Sequence, residues 1–281
     1  MTGQPQTARD HALQQLLSAA VLRTEQDWHQ LTAEQQRVLR AFAIARRRRI
    51  RGRAVPPSVR DALAAFATAT ARFSSNLGAL VERWTAVDLP AAYRLGAEDL
   101  LDHAVLGPAA VRPLFLWHST HQSAVTLLTN ACYRALISRV NDTVRRAHAF
   151  TRAVSAAARS TTPPTAAQLA ADHPLDKVTY SGSSRHPAAA WARAALAAQS
   201  VTAANTGAVT AATTDLDALW VQVIDGPECG WTSHPELDRA HNTLRSVEEA
   251  ATFPIAHPGC LRRFIARPDL NNTPIEEGQP A

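Results

Sequence analysis

A mainly α protein, with a long-helix N-terminal domain followed by a small α+β C-terminal module, is the fold class predicted for this chain of 281 residues. Three observations carry the prediction. Apolar residues recur in steps of three and four through the first half, which puts them on one face of a helix. Between 160 and 186 the composition changes to Thr, Pro, Ser and Gly, as expected at a domain boundary. Further on, the run Leu219-Trp220-Val221-Gln222-Val223-Ile224 has the apolar, β-branched character of a strand. The expected division is a helical domain over 1–159, a linker over 160–186, a module over 187–270 and a disordered tail over 271–281, too polar to fold alone.

Taken in order, Leu13, Leu16, Leu17, Ala20 and Val21 make a first helical stripe, and Leu31, Val38, Leu39, Phe42 and Ala45 a second. Val55-Pro56-Pro57-Ser58 ends that segment, because proline removes a helix hydrogen bond and clashes with the preceding turn. Leu63, Phe66, Thr70, Phe73, Leu77, Leu80 and Trp84 then form a heptad seam. A second, less regular seam passes through Tyr133, Ile137, Val140, Val144, Ala147, Phe150 and Val154, so long packed helices are expected near 60–86 and 110–158. Leu89-Pro90 opens a shorter helix through Tyr93 and Leu95-Gly96. An alanine-rich helix over about 187–212 leads to the strand, Asp225-Gly226 supplies its turn, and Val247, Glu248 and Glu249 begin a short helix.

Composition bounds the function classes. No charged-then-apolar leader opens the sequence and no apolar run of about 18 residues is present, so a cytosolic protein without membrane contact is expected. The net charge is only +5, but Arg46, Arg47, Arg48, Arg49, Arg51 and Arg53 are crowded together. Such a cluster can neutralise phosphates without reading sequence; equally, it reads as a solvated helix end whose cations complement the last carbonyls.

With three cysteines in the chain, two fall in matching clusters, Cys229-Gly230-Trp231-Thr232-Ser233-His234 and His257-Pro258-Gly259-Cys260. Cys229, His234, His257 and Cys260 supply the two thiolates and two imidazoles of a closed tetrahedral zinc site. The other reading is a metal-free set of turn and core residues. Cys132 lies in a helical pattern and reads as an inert core thiol.

The order of a helix with Asn205-Thr206-Gly207, the strand Trp220 to Ile224, Asp225-Gly226-Pro227-Glu228-Cys229-Gly230-Trp231, then His257-Pro258-Gly259-Cys260 with Arg262-Arg263, resembles the Mu F-like phage head-morphogenesis family over about 187–268. Upstream, Trp84-Thr85-Ala86-Val87-Asp88-Leu89-Pro90 through Gly96 is similar to the helical segment that precedes the shared module. The His-Pro-x-Cys element followed by arginine is its most specific part. The first cluster departs from the family's frequent Cys-x2-Cys, and Gln199 stands where a glutamate is usual, so no role of that acid is carried over. The resemblance implies a minor capsid protein, present in few copies in the inner head of the virion and in the host cytoplasm during assembly. It would associate with the portal protein and other head proteins and assist procapsid assembly or DNA packaging and ejection, with nonspecific DNA contact and at most a structural zinc. Arg262 and Arg263 are expected as a charged rim for nucleic acid or a partner, Asn205 as a helix-surface or capping contact.

Two enzymatic alternatives come from the residues themselves. Asp225, His234, His241 and His257 could build a metal-dependent nuclease, although no acid–base pair is recognisable beside them. A maturation protease would have to use Ser183, Ser184 and His186, and no Gly-x-Ser-x-Gly elbow is present.

Overall fold

A computed structural model describes residues 7–47, 54–108, 110–179, 185–225, 240–257 and 259–281. The protein is mainly helical with a small sheet in its C-terminal part. Helix α1 spans Ala8–Arg47 and runs through both predicted stripes, of which Leu31, Val38 and Phe42 are almost wholly buried. Its start is fixed reciprocally, since Asp10 N donates to Thr7 Oγ1 and Thr7 N donates to the Asp10 carboxylate, both at 3.2 Å. Helix α2 (Pro57–Arg83) continues through a π turn, Trp84–Asp88, into α3 (Leu89–His103). Just before that turn the seam shifts by one residue, with Val81 and Trp84 buried and Leu80 only half-buried, because a helix of 3.6 residues per turn drifts from a strict heptad.

Helix α4 spans Ser119–Ala157 instead of starting near 110. Gly107, Pro108 and Pro113 explain the late start: proline lacks the helix donor and pushes the residue before it out of the α region. Its buried face also begins one residue earlier than expected, on Cys132, Leu136, Val140 and Thr143, before joining Ala147, Phe150 and Val154. The stretch expected as a linker holds α5 (Ala166–Asp172), capped reciprocally by Thr165 and Gln168, and the hairpin β1 (Lys177–Thr179) with β2 (Arg185–Pro187). Helix α6 (Ala188–Leu216) leads to β3 (Trp220–Ile224), β4 (Thr243–Ser246), α7 (Val247–Thr252) and β5 (Arg263–Ala266). Strand β3 is central in the order β4-β3-β5, both pairings antiparallel, with Val221 facing Arg245 on one side and Ala266 on the other. The tail expected to be disordered runs along β4: Leu244 N donates to Gln279 O at 2.8 Å and Ala281 N to Asn242 O at 2.9 Å.

The chain divides into two compact units that do not follow the expected boundary. One comprises Met1–Ala20, Arg83–Cys132 and Arg193–Ala281, the other Val21–Glu82 and Tyr133–Ala192. In the first, Leu100 and Leu101 of α3, Ala208, Ala211 and Ala212 of α6, and Val221, Val223 and Phe264 of the sheet form one apolar cluster. Helices α3 and α6 cross at backbone contact, because a Cβ on Gly96 would lie 1.7 Å from Ala204 O and one on Gly207 2.0 Å from Tyr93 O. In the second unit, Trp28 meets Phe73 edge-on at 4.9 Å and Phe66 meets Phe150 at 5.3 Å. The Trp28 indole donates to Leu175 O at 3.1 Å, so its one polar atom is satisfied in the core.

Candidate functional site

The first unit contains two groups of polar side chains that its elements draw together. One lies among α1, α6 and the sheet. Asp225, at the end of β3, and Arg262, just before β5, are both fully buried and form a two-pronged ion pair, Arg262 Nε to Oδ1 at 2.9 Å and Nη2 to Oδ2 at 2.5 Å. The third donor, Nη1, reaches Phe253 O at 2.9 Å. Asn205 of α6, also fully buried, donates to Pro254 O at 2.6 Å and Arg262 O at 3.0 Å, and accepts from Arg9 Nη2 at 2.7 Å. Arg9 completes the ring by donating to Arg262 O at 3.1 Å. Burial pushes the Arg9 guanidinium down from the usual arginine range, while Asp99 and Asp10 oppose that shift. The Cys260 thiol, buried, points at Asp225 Oδ1 from 3.8 Å, and the Asp225 amide donates to His241 Nδ1 at 3.0 Å. Both Asp225 oxygens thus accept from Arg262, which makes the carboxylate one half of a buried, charge-assisted pair.

This geometry corrects three expectations. Arg262 is not on a charged rim: it is buried because Asp225 and the Phe253 carbonyl compensate its charge. Arg263 is held by Asp99, Nε to Oδ2 at 2.6 Å, with its side chain only 13% exposed. Asn205 is an interior hub rather than a surface contact. Of the four zinc candidates, His257 is half-buried and Cys260 buried, joined by a hydrogen bond from Cys260 N to His257 O at 2.9 Å. Cys229 and His234 lie outside the described residues, as do Arg48, Arg49, Arg51 and Arg53 of the basic cluster and Ser183 and Ser184. Arg46 and Arg47 are exposed in the last turn of α1.

The second group joins residues that no motif above connects. His118 immediately precedes α4, His121 lies in its first turn, and Asp215 is near the end of α6. His118 Nε2 is 2.9 Å from Asp215 Oδ1 and His121 Nε2 is 3.2 Å from Asp215 Oδ2. The other nitrogen of His121, Nδ1, meets the Tyr93 hydroxyl at 2.8 Å, and the Thr210 side chain hydrogen-bonds the same hydroxyl. Phe115 stands edge-on to His121 at 4.9 Å and Trp117 stacks on Tyr93 at 5.7 Å. His121 is wholly buried, Asp215 nearly so, and the His118 side chain 40% exposed, so the group has one open side. Burial lowers the His121 pKa against the pull of Asp215, and raises that of Tyr93 to about 12. The Tyr93 hydroxyl therefore keeps its proton near pH 7. Among the described residues these three are the group of donors close enough to hold a metal ion.

His118-Ser119-Thr120-His121 carries a readable mark, two imidazoles three residues apart on a helix start. Asp215 and Arg9 carry none, since their partners are far away in sequence. No protein-family model, curated protein or solved structure matches this chain.

Proposed function

We propose that the chain is a minor head protein of a tailed phage or prophage, a non-enzymatic partner of the portal in the inner head that assists procapsid assembly or the passage of DNA. The resemblance to the Mu F-like head-morphogenesis family names this role. One observation supports it over a hydrolytic one: Asn205, Asp225, Cys260 and Arg262, taken from the elements that carry the resemblance, are buried and direct their polar groups at one another and at backbone carbonyls. Residues so placed hold a recognition module in shape. The nuclease alternative needs Asp225 for metal, and Arg262 already occupies that carboxylate.

In this reading the exposed Arg46 and Arg47, with the arginines that follow them in sequence, supply nonspecific contact with packaged DNA. A structural zinc at Cys229, His234, His257 and Cys260 would clamp the module. Among the described residues no helix is long and apolar enough to cross a membrane. The test is co-sedimentation of the full chain with assembled portal rings, together with DNA binding across a salt series. The reading expects a fixed ratio of chain to portal and a DNA complex that dissociates steeply as salt rises. A chain that ignores both portal and DNA at low salt overturns it.

A further inference from the structure

We infer that His118, His121 and Asp215 form a binding site for a divalent first-row transition ion of the zinc class, independent of the Cys229, His234, His257 and Cys260 set and of the assembly reading. Zinc sits about 2.0–2.2 Å from imidazole nitrogen and carboxylate oxygen, which puts neighbouring ligand atoms in a tetrahedral site about 3.4 Å apart. Here the donor atoms, one from each side chain, lie within 4.8 Å of one another, and each imidazole already reaches one oxygen of the carboxylate, His118 Nε2 at 2.9 Å from Oδ1 and His121 Nε2 at 3.2 Å from Oδ2. An ion can therefore enter with shifts of about 1 Å, and His118, the half-exposed arm, is the ligand with room to make them.

The hydrogen bonding around His121 suits this role. To ligate through Nε2 the ring must carry its proton on Nδ1, and a metal-binding histidine almost always donates that N–H to a second partner. Tyr93 Oη is that partner at 2.8 Å. Because a hydroxyl both donates and accepts, Tyr93 serves either tautomer: it donates to Nδ1 while Nε2–H faces Asp215, and accepts from Nδ1–H once Nε2 turns to the ion. Two imidazoles and one carboxylate select zinc, cobalt, nickel or iron over magnesium and calcium, which prefer oxygen alone. Three protein ligands with the His118 side open leave a fourth position for water or a partner's donor.

The experiment is titration of the full-length Cys229→Ser protein with Zn2+ after chelator treatment, and with Co2+ as a spectroscopic probe. The site predicts one ion per chain and a cobalt d–d spectrum without a thiolate charge-transfer band. Adding His118→Ala should abolish binding, Asp215→Asn should weaken it at least tenfold, and Tyr93→Phe by about 10–100-fold. Chelated variants are compared by circular dichroism and melting to show that they fold, with Asp215→Asn, which keeps its shape, standing in if His118→Ala does not. Saturable zinc binding unchanged in both His118→Ala and Asp215→Asn, absence of saturable binding, or a cobalt spectrum dominated by thiolate overturns the site.

Discussion

Asp225 and Arg262 impose the severest constraint on single substitutions in the C-terminal module. Removing one leaves the other buried with its charge uncompensated, at a cost of about 3–5 kcal/mol. Arg262→Ala should therefore lower the melting temperature markedly, whereas Arg46→Ala, on an exposed helix end, should stay within about 0.5 kcal/mol of the parent. Equal, small effects would mean that the pair is not closed in solution. A second residue-scale expectation concerns Cys132, whose thiol is pushed up to about 11 by burial. Its thiolate fraction at pH 8 is then roughly a hundredfold below that of an ordinary cysteine. Peptide-resolved alkylation should find it labelled far more slowly in the folded protein than in denaturant, and the protection should fade as pH rises toward that value. At this scale the sequence marks Cys132 as a core thiol because it sits in an apolar helical pattern. It does not mark Arg9 or Arg262 as interior, because a compensated buried arginine looks the same in sequence as an exposed one.

Among the elements, the crossing of α3 and α6 makes the sharpest prediction. Alanine is the better helix former by about 1 kcal/mol, yet at Gly96 or Gly207 its methyl would overlap a carbonyl of the facing helix. Gly96→Ala and Gly207→Ala should each destabilise by at least about 1–3 kcal/mol in urea unfolding. Gly78→Ala in α2, where a Cβ meets nothing within 4 Å, should be neutral or stabilising. If all three behaved alike, the close crossing would be wrong. Most helices are legible in the sequence because stripes such as Leu31, Val38 and Phe42 have no competing register. Early α4 is not, because Cys132 and Leu136 compete with Tyr133 and Ile137 for the same face, and only packing chooses between them. The strand at Trp220 is legible from its β-branched run. The tail's pairing with β4 is not, since polar residues add to an edge through backbone groups that composition does not reveal.

For the whole molecule, each of the two units is assembled from separated stretches of chain, with α1, α4 and α6 contributing to both. The change of composition near 160–186 falls inside one unit and does not mark the division itself, which no local pattern could have shown. Of the site residues, the His118 and His121 pair is visible as spacing, while Asp215 becomes their partner only through the fold. If the basic end of α1 meets packaged DNA as proposed, reversing Arg46 and Arg47 to Glu should raise the dissociation constant. It should also reduce the magnitude of the salt slope by about one unit for each phosphate no longer neutralised. An unchanged slope would return these arginines to the role of a solvated helix end. The central claim, that the chain belongs to the inner head as a portal-associated protein, is tested most directly by quantitative mass spectrometry of purified procapsids and DNA-filled heads from the genome that encodes it. The account predicts a few copies per portal ring in one or both particles, and absence of the chain from both would contradict it.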